Sequence, residues 1–208
     1  MKRALSVGLL AGSVLFAQVT FAAEQGVEKL AQLLNEAHSL TANFTQLTLD
    51  ASGANIQESS GRMQLKRPGK FVWHTDPPLQ QELVSNGQTI WLYDPDLMQV
   101  TIQQLDERMT HTPALLLSGD VSQISDSFVV EYREQEGSID FYLSPKAPDT
   151  LFDLLRLSFM NGQIFSMQLE DAVGQKSSLY FSNLEMNTPL ADAVFEFEIP
   201  EGIDVIEE

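Results

Sequence analysis

Lys66-Arg67-Pro68-Gly69-Lys70-Phe71-Val72-Trp73-His74 is the stretch on which the reading of the fold turns. It opens on a basic pair, reverses at Pro-Gly and continues as an alternating strand, so that Arg67, Phe71 and Trp73 share one face. If that face lines the inside of a curved sheet, the two aromatics form an apolar wall and Arg67 is a charge that must find acceptors at its edge. The pattern suggests a container with a latch.

Outward from this stretch, the period of two recurs. Asn43–Leu49, Glu58–Leu65 and Lys70–Thr75 read as strands, and Asp76-Pro77-Pro78 ends the third. Gln81–Ser85 and Thr89–Tyr93 flank Asn86-Gly87, a pair suited to a primed hairpin turn, and Asp94-Pro95-Asp96 turns into Met98–Ile102. After an interruption, Phe128–Arg133, Ser138–Leu143, Asp153–Met160, Gln163–Glu170 and Ser177–Leu184 continue the series, with a second Asn-Gly at Asn161-Gly162. About eleven antiparallel strands result, and a sheet of that size must curl or split. Asn187–Val194 reads as a short turn or helix, Phe195–Phe197 as a last extended piece, and Ile199–Glu208 as an acidic tail.

Two helical segments accompany the sheet. Gln25–Leu40 carries a 3.6-period stripe that includes Leu30, Leu33 and Leu34 and predicts an amphipathic helix over one face. The interruption itself holds Thr112-Pro113-Ala114-Leu115-Leu116-Leu117-Ser118-Gly119, with threonine as N-cap, proline at the first helical position and glycine at the stop. A short apolar helix inserted there must lie over something apolar, and the inner face of the sheet is the candidate.

The N-terminus bears on compartment. Met1-Lys2-Arg3 is a basic head, Ala4–Val19 is almost wholly apolar, and Thr20-Phe21-Ala22 ends in small residues, the layout of a cleaved secretory leader over residues 1–22. The remainder, residues 23–208, shows no linker or repeat and reads as one domain. Removing Lys2 and Arg3 from the 12 basic residues leaves 10 against 29 acidic ones, a net charge of −19. Such a surface is repelled by nucleic acid and by anionic membranes, which argues against either as a partner. The chain has no cysteine, which excludes disulfides, thiolate metal sites and lipid anchoring through an N-terminal cysteine. We therefore expect an exported protein that is not membrane-embedded.

No catalytic pattern is present in the sequence. His38, His74 and His111 are isolated, no phosphate-binding or nucleophile motif occurs, and Asp94 and Asp96 are what a tight turn requires. Neither a cofactor nor a metal is expected. The informative residues are large and apolar: Phe44, Met63, Leu65, Phe71, Trp73 and Trp91 in the first half, then Tyr93, Met98, Val100, Phe141, Leu157 and Phe159. They describe either an ordinary core or, given a large curled sheet with few helices to fill it, the wall of a ligand cavity.

Taken together, Phe44-Thr45-Gln46, Gly61, Lys66-Arg67-Pro68 with Phe71 and Trp73, Asn86-Gly87 followed by Trp91 and Tyr93, Thr112-Pro113, Leu143–Lys146 and the Phe195–Pro200 end resemble the LolA family of outer-membrane lipoprotein carriers. The resemblance runs over essentially the whole chain after the leader. It implies an incomplete, unclosed β-barrel with a helical lid over its apolar face, a monomer in the periplasm of a Gram-negative envelope. It further implies triacylated lipoproteins as cargo, taken from an inner-membrane transporter of the LolCDE type and passed to an outer-membrane acceptor of the LolB type. Arg67 would be the lid latch, and Phe71, with the large apolar residues named above, would meet the acyl chains. Leu30, Leu33, Leu34, Pro113, Leu115, Leu116 and Leu117 would belong to the lid. A free-lipid binding protein of the same architecture is the alternative, separable by which ligand is extracted with the protein.

Overall fold

The computed structural model describes residues 15–105, 117–119, 124–147, 150 and 152–207. A first helix, α1 (Leu15–Asn35), leads into six strands: β1 (Ser39–Leu49), β2 (Asn55–Lys66), β3 (Lys70–Thr75), β4 (Gln81–Asn86), β5 (Thr89–Asp94) and β6 (Gln99–Gln104). A single helical turn, α2 (Ile124–Ser127), precedes β7 (Phe128–Gln135), β8 (Ser138–Pro145), β9 (Leu154–Met160), β10 (Gln163–Glu170) and β11 (Lys176–Met186). A 3-10 turn (Asp192–Phe195) and β12 (Asp204–Glu207) close the chain.

Among the described residues the twelve strands form one sheet in the order β12-β6-β5-β4-β3-β2-β1-β11-β10-β9-β8-β7. β1–β6 and β7–β11 are each a meander of antiparallel neighbours, and the two are joined where β1 pairs with β11, Phe44 opposite Phe181. The two ends, β12 and β7, do not pair with each other, so the barrel is unclosed. A sheet this wide has to curl, and one of its faces thereby becomes an interior.

Alternation assigns the faces. Directly opposed residues share a side of the sheet, so the pairs Leu65–Phe71, Met63–Trp73 and Phe44–Gly61 lie on one face. Continuing through the second half, Leu179–Met167, Met167–Leu157 and Leu157–Phe141 lie on the same side. Apart from Gly61 and the partly buried Trp73, which packs against them, these residues form one buried cluster with Leu30 and Leu34 of α1, which places the helix over the inner face. Burying side chains of this size stabilises the fold by about 1.5–3 kcal/mol each.

α1 sits close to β7. A Cβ on Gly26 would stand 2.6 Å from the carbonyl oxygen of Val130, so the glycine is what lets helix and strand backbones approach. Beyond it, Lys29 pairs with Glu134 and lies 5.2 Å from the centre of the Tyr132 ring.

Several expectations from the sequence change here. The helix ends at Asn35 and not near Leu40, which belongs to β1. The reason lies in Asn187, whose side chain accepts from the His38 N–H at 2.8 Å and donates to the Glu36 carbonyl at 2.9 Å, holding the chain in its exit toward the sheet. The acidic tail is not featureless: β12 adds to the edge of β6, parallel, with Val205 opposite Val100. Phe195 closes the 3-10 turn, and neither it nor Phe197 is part of a strand. Asn161 and Gly162 both have positive φ, as a primed turn requires, but at the other Asn-Gly only Gly87 does. Asn86 remains in β4, and its side-chain oxygen accepts from the N–H groups of Gln88 and Thr89 instead.

Gly61 illustrates how tightly the inner face is built. A Cβ there would fall 2.0 Å from the His74 carbonyl oxygen and 2.7 Å from the Phe44 ring, which stacks on Trp73 with centroids 4.4 Å apart. Gly61→Ala must displace either the β3 backbone or this aromatic pair. We expect a loss of about 1–3 kcal/mol in urea unfolding, with the midpoint falling and the slope unchanged.

Candidate functional site

The turn between β2 and β3 carries Arg67 to the rim of the inner face. Its backbone N–H donates to the His38 carbonyl at 2.9 Å, and its guanidinium reaches two separate segments. Nε donates to the Ala37 carbonyl at 3.1 Å, just past the end of α1, and an Nη donates to the Gly119 carbonyl at 2.8 Å, at the end of the inserted segment. Two residues on, the Gly69 N–H donates to the Ser118 carbonyl at 2.8 Å. A fixed, always-charged fork suits this arrangement, because it satisfies carbonyls that a chain end leaves without partners. One side chain thus ties the helix and the inserted segment to the sheet.

The turn is held from below as well. Ser85 is fully buried; its hydroxyl donates to the Gly69 carbonyl at 2.8 Å and accepts from the Gly87 N–H at 3.2 Å. Sequence reasoning missed Ser85, Ala37 and Gly119. Two of the three act through backbone carbonyls, which leave no residue-type signature.

Behind Arg67 lies the apolar interior. Phe44, Met63, Leu65, Phe71, Phe141, Leu157 and Phe159 are buried on the inner face, with Trp73 partly buried beside them. From above come Leu30 and Leu34, both buried, the partly buried Leu33, and Leu117, which is 2 % exposed. Between the two layers remains a crevice of about 20 Å³, lined among others by Leu34, Leu65, Arg67, Leu117 and Ile164. That is room for a water molecule and far too little for an acyl chain.

Four residues expected on this wall lie elsewhere. Because Phe71 pairs with Ser85 and Ser85 with Ile90, it is Ile90, not Trp91, that shares the face of Phe71. Trp91, Tyr93 and Val100 are on the outer face, where Phe197 lies 6.5 Å from Trp91 and 5.7 Å from Tyr93 between ring centres. Phe195, fully buried, belongs to the 3-10 turn that packs against β3 and β4 on the same side. Met98 is 62 % exposed in the β5–β6 turn. Pro113, Leu115 and Leu116 fall outside the described residues.

Among the described residues there is no group of histidine, aspartate and glutamate side chains able to hold a metal ion. Asp94 does what a turn asks of it, accepting from the N–H groups of Asp96 and Leu97.

Comparison with known proteins meets this geometry. The family described as "Outer membrane lipoprotein carrier protein LolA" matches residues 35–198. The chain belongs to the LolA family. An outer-membrane lipoprotein carrier protein of Azotobacter vinelandii is 55 % identical over 201 residues, 96 % of this chain and 97 % of that one. The Pseudomonas putida protein of the same description is 50 % identical over 206 residues, 99 % of this chain and 100 % of its own length. In fold, the chain is similar to a DUF1329 family protein from Desulfovibrio piger, with a TM-score of 0.50, 11 % identity and coverage of 84 % of this chain and 97 % of that one. As a member of the LolA family the chain is a lipoprotein carrier, a transport chaperone and not an enzyme. The partly open mainly-β sheet and the apolar interior are the features such a carrier needs, since lipid-modified cargo presents hydrocarbon that water rejects.

Proposed function

We propose that the chain, freed of its leader at or next to Ala22, works as a monomer in the periplasm of a Gram-negative envelope. There it receives triacylated lipoproteins from an inner-membrane transporter of the LolCDE type and passes them to an outer-membrane acceptor of the LolB type. The acyl chains lie against Phe44, Met63, Leu65, Phe71 and Trp73 on one flank and Phe141, Leu157 and Phe159 on the other. Arg67 is the latch, and Leu30, Leu33, Leu34 and Leu117 belong to the cover that it holds down, with Pro113, Leu115 and Leu116 in the same segment.

What carries this reading is the pair of hydrogen bonds from Arg67 to the Ala37 and Gly119 carbonyls, at the rim of the apolar inner face that Leu30, Leu34 and Leu117 cover. A 16-carbon chain transferred from a bilayer to water costs on the order of 12 kcal/mol at about 0.8 kcal/mol per CH₂, so the carrier must offer hydrocarbon in its place. An empty interior of that size would expose a large apolar patch and promote association. A cover that fills the space when cargo is absent, pinned by a few polar contacts, avoids this. Among the described residues no helix is long and apolar enough to cross a membrane, which agrees with a carrier that works between two of them.

The test is release of newly matured lipoproteins from inner-membrane vesicles bearing the transporter. We expect lipoprotein to appear in the soluble fraction, bound one to one, only when the protein is added. Release at the same level without it, or extraction of free phospholipid in place of lipoprotein, would defeat the proposal.

A further inference from the structure

The turn that presents Arg67 is closed on its outer side by a charge cluster whose contacts stand apart from the apolar site. Lys66 and Lys70 are the last and first residues of β2 and β3 and lie directly opposite each other in the ladder. Leu65 and Phe71, their neighbours, face inward, so both ammonium groups emerge on the outer face. Two like charges directly opposed across a strand pair repel and would splay the turn they bracket. Here both meet one atom, the Oδ1 of Asp192: Lys66 Nζ at 2.8 Å and Lys70 Nζ at 3.0 Å. Lys66 also donates to the Leu190 carbonyl at 3.1 Å, so the pair is anchored to the segment leading into the 3-10 turn.

We propose that Asp192 is a positioning residue for Arg67: by bridging Lys66 and Lys70 it closes the β2–β3 turn and so aims the guanidinium at Ala37 and Gly119. This inference rests on the latch reading of Arg67 given above. Hydrogen bonds from Lys66, then from Lys70, hold the Asp192 carboxyl down at about 2, so it remains ionised throughout the neutral range and the bridge is always charged. The inner side of the turn is fixed by Ser85 on the Gly69 carbonyl. The outer side has Asp192. Residues 67–69 are thereby clamped between two anchors, and their contacts with Ala37, Ser118 and Gly119 are made from a rigid base.

The experiment is amide hydrogen exchange on the full mature chain without cargo, read at Gly69, whose N–H is held by Ser118, and at Val194, whose N–H is held by Ala191 within the 3-10 turn. Variants are Asp192→Asn, Asp192→Glu, Arg67→Leu and the double Arg67→Leu/Asp192→Asn. In Asp192→Asn we expect Gly69 to exchange about twofold to fivefold faster, the size of effect an exposed charge network supports, with partial return in Asp192→Glu. Arg67→Leu should speed Gly69 further, and adding Asp192→Asn to it should add clearly less than Asp192→Asn does alone, because the part of its effect that runs through Arg67 is lost once Arg67 is gone. Acceleration confined to Val194 would overturn the inference, as would full additivity in the double variant. If Arg67→Leu leaves Gly69 unchanged, the latch reading itself fails. If Arg67→Leu acts and Asp192→Asn does not, only the positioning role of Asp192 is lost.

Discussion

Arg67→Leu is expected to leave lipoprotein loading intact and to slow handover to the acceptor by about tenfold to a hundredfold. The variant removes two charged hydrogen bonds, to Ala37 and Gly119, which in the proposed cycle hold the cover closed. Bonds of this kind contribute roughly 1.5–3 kcal/mol to the closed state, and each 1.4 kcal/mol is a factor of ten in the equilibrium. Leucine cannot donate, and it adds an apolar side chain beside the crevice that Arg67 helps to line. In the proposed cycle cargo release is coupled to closure, since acyl chains and cover would compete for the same inner face. Weakening the closed, empty state therefore strengthens retention by the same factor. Arg67→Lys should fall between: it keeps the charge but not the planar fork that reaches two carbonyls in different directions. The measurement is the rate at which radiolabelled lipoprotein moves from the loaded carrier to acceptor-bearing membranes. A normal rate in Arg67→Leu would remove the latch role.

How far the sequence revealed this arrangement depends on what kind of signal each part leaves. The strands, the hairpins and the Arg67 turn were legible because alternation, Asn-Gly and Pro-Gly act over a few residues. The faces of β4 and β5 were not. Which side Trp91 takes depends on the register across Asp76–Gln80, the connection between β3 and β4, and a five-residue loop does not set parity by its composition. Once Trp73 is seen opposite Leu83, and Leu83 opposite Leu92, Trp91 must point outward. Leu40 fits a helical stripe as well as a strand, and what separates them lies far along the chain: its ladder partners Leu65 and Met186, and the contacts of Asn187 with Glu36 and His38. The strand Asp204–Glu207 is four residues long and pairs in parallel with a partner about a hundred positions away, beyond any local pattern. The contacts of Arg67 were legible in part: it could be named as a charge in need of acceptors, but those acceptors are backbone carbonyls of Ala37 and Gly119, which no side-chain motif announces.

The second large effect concerns the wall itself, and Phe71→Glu should abolish loading. Phe71 is 2 % exposed, opposite Leu65 on the inner face and within the cluster that α1 covers. Replacing it removes one large ring, which by itself costs about 3–5 kcal/mol when a phenylalanine is truncated in a core, and puts a carboxyl in an apolar cluster opposite Ser85, whose hydroxyl is already committed to the Gly69 carbonyl. Burial pushes such a carboxyl toward its neutral form, so the penalty is lowest in acid and grows as the pH rises through its raised pKa. The thermal midpoint should therefore drop, and the drop should be larger at pH 8 than at pH 5. Loss of loading could then follow from unfolding alone, so Phe71→Leu serves beside it. Leucine keeps the wall apolar and most of its volume, and we expect it to stay folded and load cargo within a fewfold of the original chain. Vesicle-release assays at a temperature where both variants are folded, as judged by circular dichroism, separate the two causes. Phe71→Glu that is folded and still takes up lipoprotein normally would place the acyl chains somewhere other than against this wall.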